Sequence, residues 1–305
     1  MSQIAIIILN WNTTKLTKIT INSFLKIHHT GFRYHLVLVD NGSQKECIDE
    51  LEKTYKNNPE ITILKSATNT GYAHGNNIGI EWALSHHFDY IMIANSDIRV
   101  APDFLEILYK QAVSSTSLFL APKIYFEKGY EFHKERYRKS ELGKVIWAMG
   151  GKIDWDNIYG SNIAIDEVDQ GQYDQQAPSP DFISGCCFLV NSAIFRQIGL
   201  FDDKYYLYLE DADFSVRATL QKYQLKIIPQ AKIWHINSGS AAPSSHIQDY
   251  FITRNRLLFA FKYTSFRTKF ALFREAIKFL FIGRYWQKIG VRDFLFSKFE
   301  KGSWS

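Results

Sequence analysis

No run of about 18 apolar residues occurs anywhere in this chain, so it offers no candidate membrane-spanning helix. The first apolar stretch, "IAIIILNW" (residues 4–11), lacks the basic flank and cleavage site of a secretory signal, and a cytosolic chain is expected. Cysteine is scarce. Cys186 and Cys187 are adjacent and Cys47 is distant, which supplies neither a disulfide framework nor the paired spacing of a zinc site; all three are expected to be reduced packing residues. A dinucleotide fingerprint is missing as well. The glycines of "NTGYAHGNNIG" (residues 69–79) fall at 71, 75 and 79, not in the G-x-G-x-x-G pattern. Asp40, which would have to serve as the ribose-binding acid, precedes that loop instead of following it, which argues against a nicotinamide enzyme. With 46% hydrophobic and 22% charged residues over 305 positions, extended disorder is excluded too.

What is present begins with four short apolar runs, at residues 4–9, 36–39, 61–64 and 90–94. Stretches long enough for helices lie between them, at 16–28, 45–57 and 73–85, which is the strand–helix rhythm of a parallel sheet. Three of the runs end in polar clusters: "NWN" (Asn10, Trp11, Asn12), "DNGS" (from Asp40) and "NSD" (Asn95, Ser96, Asp97). Ligands of open α/β sheets bind outside the carboxyl ends of the strands, so a polar, acid-bearing site is expected where these loops converge. "DNGS" is equally a turn sequence, and Gly75 and Gly79, four apart on one helix face, would permit close packing.

Further along, "YYLYLEDADFSVRATLQKYQLKIIPQAKIWH" (residues 205–235) places Glu210, Asp211 and Asp213 at the opening of a helix, with Val216 and Leu220 on its apolar stripe. A short strand at 225–228 then leads through Pro229 to a lone His235. Acids that open a helix satisfy amides and the dipole without any catalysis, and Asp213, with Arg217 one turn on, fits that structural role.

Taken in order, "ILNWN", "VDNGS", "NTGYAHGNNIG", "NSD", "GLFDDKYYLYLEDADFSVRA" and "WH" make residues 3–255 resemble the family 2 glycosyltransferases, inverting enzymes of the GT-A fold. The resemblance implies an α/β, Rossmann-like, mixed but mostly parallel sheet flanked by helices. It implies a catalytic domain over residues 1–245, with nucleotide-sugar binding in about 1–100 and the acceptor side in about 101–245. Asn10, Trp11, Asn12 and Asp40 would hold base and ribose. Asn69, Gly71 and Asn76 would lie beside the nucleotide, with the amides of a helix start available to anionic oxygens. Asn95 stands where the family usually has the first acid of Asp-x-Asp, and Asp97 keeps the last. Asp97 and His235 would ligate Mn²⁺ or Mg²⁺ on the donor diphosphate. Asp211 would be the general base, and Gly185, Glu210 and the segment 127–180 would border the acceptor. The style of "NSD" and "YLEDADFSVRA" is similar to that of rhamnosyltransferases of bacterial surface polysaccharide assembly, which makes dTDP-L-rhamnose the leading donor, ahead of a UDP-sugar. The implied acceptor is a glycan or polyprenyl-diphosphate-linked glycan.

The net charge of +5 hides a basic tail: from residue 251 on, twelve Lys and Arg face three Asp and Glu. Phe259, Tyr263, Phe266, Phe270, Phe273, Ile277 and Leu280 recur at helical spacing with Lys262, Lys269, Arg274 and Lys278 between them, which predicts one amphipathic helix. Residues 246–305 are therefore expected to be a helical extension that either packs on the domain or meets an anionic membrane on the cytoplasmic face. No nucleic-acid module is recognisable. Two other readings stay open, a catalytically silent nucleotide-sugar-binding protein, suggested by Asn95, and a membrane-surface adaptor driven by the tail.

Overall fold

A computed structural model describes residues 1–236 and 245–304. The first part alternates as expected: β1 (Ser2–Asn10), α1 (Thr14–Phe24), β2 (Phe32–Asn41), α2 (Lys45–Tyr55), β3 (Ile61–Ser66), α3 (Gly71–Ser85) and β4 (Tyr90–Asn95). β1 shows why the apolar runs are continuous rather than alternating. Ile4, Ile6 and Ile8 enter one hydrophobic cluster and Ala5 and Ile7 enter another, so the strand is buried on both faces.

The chain continues through β5 (Ile98–Val100), α4 (Phe104–Ala112), β6 (Leu118–Phe126), β7 (Ile146–Ala148), β8 (Gly151–Asp154), β9 (Tyr159–Asn162) and β10 (Cys187–Asn191). After these come α5 (Ser192–Ile198), α6 (Glu210–Leu220), β11 (Gln224–His235), α7 (His246–Tyr263), α8 (Phe266–Ile282) and α9 (Tyr285–Leu295). The main sheet runs β3-β2-β1-β4-β10-β6-β11-β5, with β7 also on β6. Its first four strands are mutually parallel, β10 runs antiparallel between β4 and β6, and β6 pairs parallel with β11. β11 absorbs Pro229 in a register shift between Ile228 and Lys232, which spares the ladder a missing donor.

Gly75 and Gly79 do serve close packing. A Cβ on Gly79 would stand 2.5 Å from Ile7 Cγ2, and one on Gly75 would stand 2.7 Å from Leu9 Cδ1, so α3 lies directly on β1. Leu220 departs from expectation: Val216 is buried, but Leu220, in the last turn of α6, is 66% exposed.

The extension differs from the single helix that its spacing predicts. Thr264 leaves the helical conformation and Ser265 Oγ accepts from the Thr268 amide, so α7 stops and α8 starts afresh at a new cap. α7 packs into the protein along most of its length, whereas α8 buries only Leu272 and Ala276. Among the described residues no helix is long and apolar enough to cross a membrane.

Candidate active site

The carboxyl ends of β1, β2 and β4 and the start of α3 open into a cleft of about 300 Å³. It is lined by Leu9, Trp11, Asn41, Asn69, Gly71, Tyr72, Asn95 and Asp97 from the strand ends and α3, and by Tyr206, Leu207, Ile247 and Trp304 from later in the chain. The loop residues implied for the donor separate into surface and support. Trp11 is exposed and lines the cleft. Asn10 is fully buried; its Nδ2 donates to Asp40 Oδ1 at 2.8 Å, and its Oδ1 accepts from Thr17 Oγ1 at 2.7 Å. Asp40, also buried, accepts the Ser43 amide on its second oxygen at 3.1 Å. Asn12, with a left-handed φ of 55°, accepts from the Gln44 amide at 2.8 Å and ties the β1 loop to the β2 loop. Neither Asn10 nor Asp40 lies on the cleft wall; the two brace the strand ends that form it.

Asn41 is the residue that the sequence reading passed over. Its Nδ2 donates to Asn69 Oδ1 and to the Gly71 carbonyl, both at 3.0 Å, and its Oδ1 accepts from the Thr70 amide at 3.0 Å. One side chain thereby holds the whole turn into α3. Its place in "DNGS", directly after Asp40, was the available signal. The expectation that the α3 amides are free for anionic oxygens is overturned. The Tyr206 carbonyl accepts from the Tyr72 and Ala73 amides at 2.6 and 3.2 Å, and the Gly71 amide is taken by Asn69 Oδ1. Protein groups occupy the positions where an anion would sit. Asn76 is buried on α3, with Nδ2 donating to the Tyr72 carbonyl and Oδ1 unpartnered.

Asn95 ends β4 and Asp97 follows in the turn before β5. β11 pairs with β5 so that His235 lies beside Ile98, which brings His235 Nε2 to 3.3 Å from Asp97 Oδ1 without hydrogen-bond geometry. Asp97 Oδ1 and His235 Nδ1 are buried and lack hydrogen-bond partners. Segment 127–180 reaches this site through Trp147 of β7, which packs edge-on against the His235 ring at 4.6 Å, and through the Glu127 amide, which donates to the His235 carbonyl at 2.9 Å. A carboxylate with an unpartnered buried oxygen on the cleft wall and a buried imidazole 3.3 Å behind it fit a divalent cation. Among the described residues no third His, Cys, Asp or Glu joins them, so the remaining ligands would be solvent and substrate oxygens.

Asp211 and Glu210 open α6 behind Tyr72. Asp211 accepts from the Gly185 amide at 2.9 Å and the Ala212 amide at 2.7 Å, and the Tyr72 hydroxyl donates to the Gly185 carbonyl at 2.6 Å. Burial pushes the Asp211 carboxyl up and the two amides pull it back. Glu210, buried with Oε2 unpartnered, is held well above the ordinary carboxylate range by burial and by the neighbouring Asp211. Asp213 is of another kind. It is fully buried, with Arg217 Nε at 2.8 Å and both Lys262 Nζ and the Tyr263 hydroxyl at 2.7 Å, so it bonds α7 to the domain as well as the expected Arg217. All three cysteines are free, with Cys186 and Cys187 buried.

The model for glycosyl transferase family 2 matches residues 5–199. The chain belongs to this family. It is 24% identical over 231 residues to the N-acetylglucosaminyl-diphospho-decaprenol L-rhamnosyltransferase of Mycobacterium tuberculosis, covering 70% of each chain. It is 22% identical over 219 residues to a low-salt glycan biosynthesis hexosyltransferase of Haloferax volcanii, covering 72% of this chain and 62% of that one. Among solved structures, GalNAc-T7 with UDP, GalNAc and Mn²⁺ superposes with a TM-score of 0.64 at 15% identity, over 90% of this chain and 54% of that one. The chain thus spans somewhat over half the length of these last two proteins. The mixed sheet and its flanking helices are the GT-A glycosyltransferase fold.

The raised Glu210 carboxyl makes stability depend on pH with a definite sign. The folded state holds the Glu210 proton more tightly than the unfolded chain, whose ordinary value is 4.5. That stability is complete below 4.5 and is lost as pH rises through the raised value. Glu210→Gln is therefore expected to melt above the wild type by a margin that widens between about pH 5 and pH 8. Parallel melting curves across that range would show that Glu210 ionises normally.

Proposed function

We propose that this chain is a metal-dependent, inverting glycosyltransferase that moves a sugar, with L-rhamnose from dTDP-L-rhamnose as the leading donor and a UDP-sugar next, to a hydroxyl of a glycan or polyprenyl-diphosphate-linked glycan in bacterial surface polysaccharide synthesis. The observation that carries the reading is Asp97, which lines the cleft at the strand ends with a buried, unpartnered Oδ1 and has His235 Nε2 at 3.3 Å. The rhamnosyl and lipid-linked part rests on similarity to the mycobacterial enzyme.

Mn²⁺ or Mg²⁺ held by Asp97 and His235 would neutralise charge on the diphosphate leaving group. The chain's own residues do the rest. Trp11, Asn69, Gly71 and Asn95 form the donor wall over the Asn10–Asp40 brace. The acceptor hydroxyl oxygen attacks the anomeric carbon opposite the departing diphosphate, the bond to the diphosphate oxygen breaks, and the hydroxyl proton passes to Asp211. A carboxylate has about four lone-pair positions, and the Gly185 and Ala212 amides use two, so Asp211 is oriented by them and still able to accept. Its upward shift brings it closer to the proton affinity of an effective base. Gly185 has no room for a side chain, since a Cβ would meet the Tyr72 hydroxyl at 2.8 Å, and the acceptor is read as passing along this edge with Glu210 orienting it.

Asp97→Ala is expected to abolish metal-stimulated donor binding in calorimetry while the melting temperature stays near the wild type. Full activity in excess chelator would overturn the metal reading. Asp211→Asn keeps the size and one of the two amide hydrogen bonds but cannot take a proton, so kcat should fall by about 10²- to 10⁴-fold with donor affinity little changed. Transfer at the wild-type rate with acceptor present would remove Asp211 from the role.

The extension bears on location. α8 exposes Phe266, Phe270, Phe273, Phe281 and Ile282 alongside Arg267, Lys269, Arg274 and Lys278, an apolar face with basic flanks suited to lie on an anionic leaflet. The chain is read as peripheral on the inner face of the plasma membrane, where a lipid-linked acceptor would be met. Because α7 is built into the domain, the test spares it: Phe266, Phe270 and Phe281 together changed to Ser should abolish flotation with anionic liposomes while leaving the melting temperature intact. Undiminished flotation would reject attachment through α8.

A further inference from the structure

Part of the cleft wall comes from outside the segment matched by the family, since Ile247 and Trp304 both belong to the extension. Trp304 is held there by a connected set of bonds. The Tyr250 hydroxyl donates to Asp293 Oδ2 at 2.6 Å, and the same carboxylate oxygen accepts the Ser303 amide at 2.8 Å, which fixes the backbone just before Trp304. The Arg254 guanidinium, fully buried, donates to the Glu300 carbonyl at 2.7 Å and to the Lys204 and Tyr205 carbonyls at 3.0 Å, tying that turn to the loop before α6. Trp286 at 4.6 Å and Phe251 at 6.0 Å back the Trp304 ring, and Phe251 in turn stacks on Tyr206 with ring planes 8° apart. The result is a half-buried indole, rigidly mounted, on the cleft wall beside Tyr206.

We infer that Trp304 is a substrate-binding residue whose ring stacks on the nucleobase of the donor. The inference rests on the glycosyltransferase reading above and adds to it a contact from the extension. Trp304 shares its cleft with the strand-end residues Leu9, Trp11, Asn41 and Asn69, whereas Asp211 and Gly185 do not line that cleft and connect to it through Tyr72. That places Trp304 with the donor's floor, away from the proposed base. Of the parts of a nucleotide sugar, the base alone offers a flat π-face, and the acidic, metal-competent end at Asp97 is suited to the diphosphate.

The test compares wild type, Trp304→Ala and Trp304→Phe for binding of dTDP and UDP by calorimetry with Mn²⁺, and of inorganic pyrophosphate as a probe without a base. Trp304→Ala should weaken nucleoside diphosphate binding by about 5- to 150-fold, Trp304→Phe should recover most of it, and pyrophosphate should bind all three alike. Unchanged nucleotide binding by Trp304→Ala would overturn the inference, as would an equal loss for pyrophosphate, which would mean the cleft had merely collapsed. A rise in acceptor KM alone would also overturn it, by placing the ring on the acceptor side. Should Trp304→Ala fail to fold, hydrogen exchange of wild-type residues 299–304 decides: slowing by dTDP but not by pyrophosphate is expected, and no slowing by dTDP overturns the stacking contact. A wild type that binds neither nucleotide would instead remove the glycosyltransferase reading on which this one stands.

Discussion

The hydrogen bonds from the Tyr72 and Ala73 amides to the Tyr206 carbonyl are the contact on which the site depends. Tyr206 has a φ of 62°, and Tyr208 and Leu209 follow at 69° and 72°, a left-handed excursion that residues with side chains rarely make. The excursion persists because it is held from both sides. α3 takes the Tyr206 carbonyl as its cap, and Asn255 Nδ2 on α7 donates to the carbonyls of Tyr205, Leu207 and Tyr208 at 2.8–2.9 Å. The loop in turn delivers Glu210 and Asp211 to the start of α6. Gly71, with a φ of 84°, is required at the same place, since a Cβ would stand 2.5 Å from the Tyr206 ring. The strand-end lining of the cleft, the lining from Tyr206 and Leu207, and the candidate base are thus fixed relative to one another through one short loop.

This arrangement divides three neighbouring acids by environment. Asp213 is surrounded by Arg217, Lys262 and Tyr263 and serves cohesion between domain and extension. Asp211 accepts from the Gly185 and Ala212 amides, which leaves lone pairs for a substrate. Glu210 has burial without a partner for Oε2, which disfavours its charge. One turn of helix therefore carries a structural ion, an orientable carboxylate and a group inclined to hold its proton.

The extension combines two physical characters that its composition blends together. α7 carries buried polar residues, Arg254 and Asn255 among them, whose partners are backbone carbonyls of the domain; removing them would strand those carbonyls. α8 has the opposite balance, with aromatic rings left in solvent beside basic residues. The same aromatic and basic residue types thus pack against the domain in one helix and leave an uncovered apolar face in the next.

Much of this was legible in the sequence. Continuous apolar runs specify strands buried on both faces, and the rule that ligands gather at the carboxyl ends of parallel strands pointed to Asn10–Asn12, Asp40 and Asn95–Asp97 before any geometry was known. Motif order pointed to the family for the same reason, since it reflects the order of those strand ends along the chain. Tertiary structure alone decided the roles within those clusters. Whether Asp40 faces a ligand or braces Asn10, whether the α3 amides are free or capped by Tyr206, and whether Trp304 belongs to a tail or to the cleft wall are matters of residues 30 to more than 200 positions apart. Local pattern records which faces of an element are apolar. It carries no information on which distant carbonyl or ring will fill a given donor or cavity, because that choice is made by packing between elements.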